Sequence, residues 1–337
     1  QIVLALVYTG ARGNTATDID KVLRLPKGLE YVINEYKLLF EDLKDPGLNL
    51  TTKMFIEKTL PVKPEFQKNA SIYFLSKAGF VNYVEDPESA RKEINQWVEQ
   101  TTNNRIKNFM AEVLVQSSTR MILTNAVYFK ENWASQFNPA LTKYDEFYIT
   151  PDQKVFAKMM IQQNRFPYKH SLYLKAQILQ LPYENTNFSM IIFLPDENID
   201  LSNVEYTLGK SNFTEILRSL HYADLNVKLP KFTVNKRMEL TETLKGLYIN
   251  SLFNQCAADL TKIVEDLYAT EALQKAYIEV NEEGTVAAVA TALELSFHRL
   301  TERSTYIDFI ANHPFLYIIA KDDTILFMGR VTNPRHS

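Results

Sequence analysis

The chain is poor in the residues and runs that several protein classes require. Among its 337 residues it has one cysteine, Cys256, and nine glycines. A single thiol excludes an internal disulfide framework and paired-cysteine metal sites, and so few glycines leave little for phosphate-cradling loops. No apolar run reaches the length of a membrane span, and the run at residues 315–320 is strand-sized. With 37 basic and 40 acidic residues the net charge is −3, which provides no field to recruit nucleic acid or an anionic membrane.

The motifs of common enzyme classes are also missing. The sequence lacks Gly-x-Ser-x-Gly, the P-loop, the dinucleotide-binding glycine pattern and His-Glu-x-x-His. Its five histidines stand singly, at His170, His221, His298, His313 and His336. We therefore expect no enzyme, no metal site and no cofactor. A heparin-type polyanion is not expected either, because Lys37 and Lys44 are interleaved with acidic residues.

The patterning predicts one α+β domain that spans residues 1–337. Hydrophobic residues make up 46% of the chain, and no linker, charge block or repeat divides it. Helical spacing predicts helices that end at Gly10, cover residues 14–25 and 29–43, and begin at Asp86-Pro87. Runs of β-branched and aromatic residues predict strands at 121–129, 189–194, 225–229, 276–280 and 315–320. Because helices cluster first and strands later, we expect antiparallel or mixed sheets. We also expect the protein to be a monomer.

One segment, residues 279–297, has the pattern of a strand that passes through a single glycine into a second strand with no obvious partner. Beyond Gly284, small or apolar residues alternate on one face: Thr285, Ala287, Val289, Thr291, Leu293, Leu295 and Phe297. The same stretch is rich in alanine, so an amphipathic helix is the competing interpretation.

Four segments, in order along the chain, resemble the serpin family. Residues 94–102 resemble the helix that covers the central sheet, and 123–133 the third strand of that sheet. Glu279-Val-Asn-Glu-Glu-Gly-Thr with Ala-Ala-Val-Ala-Thr resembles the reactive-centre hinge of inhibitory members, and residues 313–318 with 326–334 resemble the C-terminal signature. The resemblance implies three β-sheets, about nine helices and an exposed reactive-centre loop at about residues 282–306. It also implies that the family's first helix and strand precede residue 1.

The resemblance further implies a suicide-type protease inhibitor. In such proteins a target protease cuts the loop, and the freed segment inserts as a new strand into the central sheet and traps the acylated protease. Insertion requires small, uncharged side chains on the face that becomes buried, and Thr285, Ala287, Val289 and Thr291 provide them. The whole predicted hinge consists of Glu282, Glu283, Gly284, Thr285, Ala287, Ala288, Val289, Ala290 and Thr291. Gly284 is the expected pivot, and Glu294 lies on the opposite face, where it can remain in water. Since no charge, bulk or proline spoils the hinge, we favour inhibition over a non-inhibitory carrier or binding role.

Three residues are candidates for controlling how the sheet opens. Trp133 resembles the family's tryptophan at the top of the sheet, although a buried tryptophan at a strand end is also ordinary core. Gln274 stands where the family commonly has histidine, so an amide must remake any hydrogen bond of that histidine to the opening region, including Asn125. Ordinary core packing explains both Gln274 and Asn125 equally well.

The position of the scissile bond depends on the direction of counting. The family's usual spacing from the hinge puts it at His298, fourteen residues after Gly284, whereas counting back from Phe309 and Pro314 puts it near Leu300. Between these lies Arg299, which suits a trypsin-like pocket with an acidic base, so we favour Arg299-Leu300 over His298-Arg299. Arg303 is a weaker candidate.

The expected partner is a trypsin-like serine protease. Phe297 leaves open a cross-class alternative, because papain-like cysteine proteases select a hydrophobic residue next to the cleaved one. We expect a secreted protein, and its candidate glycosylation sites are Asn49, Asn69, Asn187 and Asn212.

Overall fold

The computed structural model describes residues 2–25, 28–44, 47–73, 78–285 and 306–335. The chain divides into two compact units, the first made of Gln1–Phe129 with Asn235–Tyr277 and the second of Lys130–Val234 with Ile278–Ser337. Neither unit is a continuous stretch of sequence, so each is described by itself.

Eight α-helices lie in the described part of the chain. They are α1 (Ile2–Gly10), α2 (Gly13–Leu23), α3 (Leu29–Asp42), α4 (Pro64–Tyr73), α5 (Pro87–Thr101), α6 (Leu201–Leu208), α7 (Phe213–Arg218) and α8 (Thr241–Gly246). Three short 3-10 helices lie at Glu112–Leu114, Pro139–Leu141 and Ser251–Phe253. None of the helices described has both the length and the apolar character needed to cross a membrane.

Fifteen strands accompany the helices within the ranges that the structure describes. They are β1 (Leu48–Glu57), β2 (Gly79–Val81), β3 (Met121–Phe129), β4 (Glu131–Asn132), β5 (Lys143–Thr150), β6 (Gln153–Ser171), β7 (Ala176–Pro182), β8 (Phe188–Pro195), β9 (His221–Pro230), β10 (Phe232–Glu239), β11 (Glu271–Val280), β12 (Gly284–Thr285), β13 (Ile307–Ile310), β14 (Phe315–Lys321) and β15 (Thr324–Val331). Every helix and strand predicted from the sequence outside residues 285–297 is present, with ends displaced by a few residues at most.

In the first unit, a sheet of order β2-β1-β3-β11 has both faces covered. β1 and β3 pair antiparallel from Leu48 opposite Phe129 to Ile56 opposite Met121. One face packs on α1, and the other packs on α5 through Ile94 and Val98. Helix α5 begins where the sequence predicts, because the Asp86 carboxylate accepts a 2.9 Å hydrogen bond from the Ser89 amide.

In the second unit, one hydrogen-bonded sheet runs in the order β13-β9-β6-β7-β8-β14-β15, with β5 on β6. Helices α6 and α7 pack on β8 and β14. Strand β6 is 19 residues long and pairs with β5, β7 and β9, which joins strands that shorter pieces would leave in separate sheets. The described strands therefore form two continuous hydrogen-bonded networks, the larger of them joined through β6.

Candidate functional site

The second unit contains a tight turn where β11 ends, here called the hinge turn (residues 281–285). The chain reverses after Val280, and Thr285 pairs antiparallel with Val280. The Asn281 amide donates to the Gly284 carbonyl at 2.9 Å, and the Asn281 side-chain oxygen accepts from the amides of Glu283 and Gly284 at 3.1 and 3.2 Å. Asn281 therefore closes the turn with both its backbone and its side chain.

The backbone carbonyls of the hinge turn are bonded by a second segment, residues 133–137. The Trp133 indole nitrogen donates to the Asn281 carbonyl at 2.9 Å, and the Trp133 amide donates to the Glu283 carbonyl at 2.8 Å. The Phe137 amide donates to the Glu282 carbonyl at 2.8 Å. With the Gly284 carbonyl bonded to Asn281, each carbonyl of residues 281–284 has a partner, so the conformation of the turn is fixed.

Glu282 adds a buried ionic contact. Its side chain accepts from the Thr142 hydroxyl at 2.8 Å and from the Lys231 ammonium at 2.6 Å, and the residue is 8% exposed. Burial alone raises the pKa of the carboxyl, but the bonds from Lys231 and Thr142 outweigh it and the pKa is lowered. Glu282 is therefore a carboxylate at neutral pH. The neighbouring Glu283 has a buried side-chain oxygen, Oε2, with no hydrogen-bond partner among the described residues.

Gly284 lies against backbone on the side where a side chain would project. It pairs with Asn132 of β4 and has a φ of +155°. A Cβ atom added there would lie 2.1 Å from the Glu131 carbonyl oxygen and 2.5 Å from the Asn132 Cα. Glycine is thus required by the close approach of β4 as well as by the backbone conformation. The sequence-based reason, freedom to pivot, is not the one that the packed turn uses.

Thr285 is fully buried and is held by a residue that the sequence analysis missed. Its hydroxyl lies 3.0 Å from the Tyr183 hydroxyl, and its backbone pairs with Val280 of β11 and Glu131 of β4. The Tyr183 ring stacks on Trp133 at 4.5 Å between centroids and an interplanar angle of 14°. Burial raises the pKa of Tyr183 far above its ordinary value, so the phenol is neutral.

The predicted hinge residues fall into two groups. Glu282, Gly284 and Thr285 are buried and Glu283 is half-buried, so the first residues of the predicted loop pack into the second unit. The other predicted loop residues lie outside the described residues: Ala287, Ala288, Val289, Ala290, Thr291, Phe297, His298, Arg299 and Leu300. The strand and helix interpretations of residues 286–297 and the position of the scissile bond stay predictions.

The three candidates for sheet opening also separate. Trp133 is buried and contacts the hinge turn directly, as both the core and the functional interpretations require. Asn125 and Gln274 lie on the neighbouring strands β3 and β11 of the first unit. The Asn125 amide donates to the Thr52 hydroxyl on β1 at 2.9 Å, so the bond that it makes is not the one expected toward Gln274.

The four sequons differ in how far their amides are already used. Asn49 lies within β1, and its amide donates to the Thr101 carbonyl. Asn69 is half-buried inside α4. Asn187 is exposed and donates to Asp322 at 3.3 Å, and the exposed Asn212 caps α7 through its side-chain oxygen. Exposure therefore favours Asn187 and Asn212 over the other two. Among the residues described, none form a group of three or more acidic, histidine or cysteine side chains that could hold a metal.

Comparison with known proteins identifies the class to which this fold and hinge belong. A family model for serpins (serine protease inhibitors) matches residues 1–334, and the chain belongs to the serpin family. It is 35% identical to the leukocyte elastase inhibitor of Sus scrofa and 33% identical to that of Homo sapiens, over 98% of this chain and 90% of each relative.

Solved structures agree with this assignment. Serpin48 of the insect Tenebrio molitor superposes with a TM-score of 0.87 at 30% identity, over 98% of this chain and 89% of that one. The cleaved form of Serpin 42Da gives the same values. Human thyroxine-binding globulin has a TM-score of 0.87 at 24% identity, a likeness that concerns the fold alone.

Proposed function

We propose that this serpin is a suicide-type inhibitor whose loop beyond Thr285 is cut by a target protease and then inserts as a strand beside β11. One observation carries the proposal: Gly284 and Thr285 already pair antiparallel with β4, and Thr285 pairs with Val280 of β11. These two residues occupy the start of such a strand, in the direction that insertion requires. As the strand lengthens, it extends the existing pairing of Gly284 and Thr285 with β4 and β11. This pairing already sets the register of the inserted residues.

The register that follows supports the small-residue hinge. Counting along β11 from the Val280–Thr285 pair brings Ala287 level with Ile278 and Val289 level with Ala276. Thr291 then lies level with Gln274, so that a hydroxyl meets an amide of the strand. This gives Gln274 a place in insertion that does not depend on Asn125. The same count brings Glu294 level with Glu271, which would make a like-charge pair.

For the target, we propose a trypsin-like serine protease that cleaves Arg299-Leu300. The guanidinium of Arg299 suits a pocket with a buried carboxylate, and it suits the small apolar pocket of an elastase poorly. The relatives are named as inhibitors of leukocyte elastase, which makes an elastase the comparison that matters most. Phe297 supports the second candidate, a papain-like cysteine protease with cleavage at His298-Arg299. A carrier role has no comparable support, since the hinge carries no bulky or charged residue at alternate positions from Thr285 to Thr291.

The test is a denaturing gel of the protein mixed with a trypsin-like, an elastase-like and a papain-like protease. A covalent complex with the trypsin-like protease, and a C-terminal fragment that begins at Leu300, is the expected result. The Arg299→Ala variant should lose that complex and keep the fold, because on this proposal the guanidinium serves recognition by the protease pocket. Arg335→Ala is the matched control for loss of an exposed arginine. A fragment that begins at Arg299 would transfer the proposal to His298 and the papain-like target, and cleavage by all three proteases without a complex would refute inhibition.

We also propose that the protein is secreted and glycosylated. The support is limited to the sequons, of which Asn187 and Asn212 are exposed. The measurement is a mass decrease when the natural protein is treated with a peptide N-glycosidase, and an unchanged mass would contradict the glycosylation.

A further inference from the structure

Tyr183 is a buried phenol beside the hinge turn. It follows β7, and its amide donates to the Phe188 carbonyl at 3.0 Å in the hairpin between β7 and β8. A backbone bridge to Trp133 and the stacked indole fix the ring from a second side. The hydroxyl therefore has a defined position, 3.0 Å from the hydroxyl of Thr285.

The contact joins the first inserted residue to the rigid β7–β8 hairpin. The hinge turn is closed by bonds from Asn281, Trp133 and Phe137 to residues 281–284, whereas the side chain of Thr285 is bonded from Tyr183. A neutral phenol and a neutral alcohol can each donate or accept, so the bond forms with either hydroxyl as donor. It fixes the residue from which any further pairing with β11 and β4 must grow.

We infer that Tyr183 is a positioning residue for loop insertion, because its hydroxyl holds Thr285 in register between β11 and β4 before the loop is cut. The inference rests on the proposed inhibitory function. Insertion competes with hydrolysis of the acylated protease, and an end that is already docked lets the new strand elongate at once. If Thr285 is not held in place, it must first be ordered again, which costs time. Hydrolysis of the acylated protease then competes better, and more of the inhibitor is released cleaved and without a complex.

The first variant is Tyr183→Phe, which removes one hydroxyl and keeps the stacked ring. Loss of a single neutral hydrogen bond should raise the ratio of cleaved to complexed inhibitor roughly fivefold. Thr285→Val should do the same, and the double variant should match either single one, because all three lack the same bond. The matched control is Tyr83→Phe, a buried tyrosine of the first unit that donates to the Phe55 carbonyl at 3.3 Å, and its ratio should not change.

Two further readouts separate positioning from simple stabilisation. Because the bond exists before and after insertion, Tyr183→Phe should lower the melting temperatures of the native and loop-cleaved forms equally. A lower melting temperature with an unchanged partition ratio would overturn the inference, as would additive effects in the double variant. Hydrogen exchange of the peptide that covers residues 281–285, measured without protease, should be faster in Tyr183→Phe than in Tyr83→Phe.

The exchange measurement keeps the two proposals distinguishable. If the unaltered protein forms complexes but Tyr183→Phe exchanges and partitions normally, the inference fails and inhibition stands. If no protease forms a complex, inhibition fails, and with it the role in insertion, while faster exchange would still establish that Tyr183 docks the turn.

Discussion

Replacing Lys231 by methionine should destabilise the native hinge turn through the charge that it leaves behind. The Glu282 side chain is 11% exposed and its Oε2 lies 2.6 Å from the Lys231 nitrogen, whereas the Lys231 side chain is 32% exposed. Removing one partner of a buried ion pair costs about 3–5 kcal/mol. Since Lys231 is partly solvated, and Thr142 still donates to Glu282, we expect a loss of about 2–3 kcal/mol of unfolding free energy.

The assay is urea-induced unfolding of the uncleaved protein, followed by tryptophan fluorescence. Trp133 donates to two carbonyls of the hinge turn, so its emission reports the opening of that turn. The matched control is Lys228→Met, because the Asp145 partner of Lys228 has a side chain that is 46% exposed. Exposed pairs of this kind contribute less than about 1 kcal/mol.

A second variant and the pH dependence identify the buried charge as the cause. Glu282→Gln combined with Lys231→Met should restore most of the lost stability, since no unpaired charge remains. The pKa of Glu282 is lowered, so the stability that its ionised form contributes is present above its ordinary pKa and is lost as the pH falls through the lower value of the folded protein. The deficit of Lys231→Met should accordingly shrink below about pH 4. A deficit equal to that of Lys228→Met, or the same at pH 7 and at pH 3.5, would refute this reasoning.

Three further substitutions test the hinge and the proposed insertion. Thr285→Arg should convert the inhibitor into a substrate and also loosen the native turn, because an unpaired guanidinium cannot be buried there. The gel assay checks this with Thr285→Ser as the control. An undiminished amount of covalent complex would contradict the prediction. Gly284→Ala should speed hydrogen exchange across residues 281–285, because the new Cβ would meet the Glu131 carbonyl, whereas Gly246→Ala, where nothing lies within 4 Å, should not. Glu294→Gln should stabilise the loop-cleaved form by about 0.2–1 kcal/mol, since it removes a like charge level with Glu271. Because salt screens the repulsion between two charges, a stabilisation that is unchanged in 1 M salt would argue against that register.

Local signals account for what the sequence predicts correctly. Helix α5 follows from the cap at Asp86, the proline after it and one apolar stripe, all within fifteen residues of one another. Strand β3 was found with both ends correct because its β-branched and aromatic run is buried along its length. The long strand β6 has no such signal, since it mixes charged and apolar residues and contains Pro167, which argues against a strand. Its length is what joins the strands of the second unit into one hydrogen-bonded sheet.

Contacts between distant residues account for what the sequence does not show. The hinge was located from its own small residues, but the residues that fix it lie far away in the chain: Tyr183 is 102 positions from Thr285 and Lys231 is 51 from Glu282. No periodicity or spacing links such pairs. A lone tyrosine after Leu181-Pro182 and a lone lysine after Pro230 look like ordinary surface or core residues until the fold brings them to the turn.

The packed hinge turn changes where movement must occur if the loop inserts as proposed. Both the amide and the carbonyl of Gly284 are bonded to Asn281, and β4 lies against its Cα, so rotation at Gly284 would break pairing that insertion needs. The turn also contains an unfavourable element, the buried and unpartnered oxygen of Glu283, which the surrounding bonds must outweigh. A turn held this firmly acts as a fixed end for the growing strand. We therefore expect the backbone rotation that brings the cut loop to β11 to occur after Thr285 rather than at Gly284, where the sequence predicts the pivot.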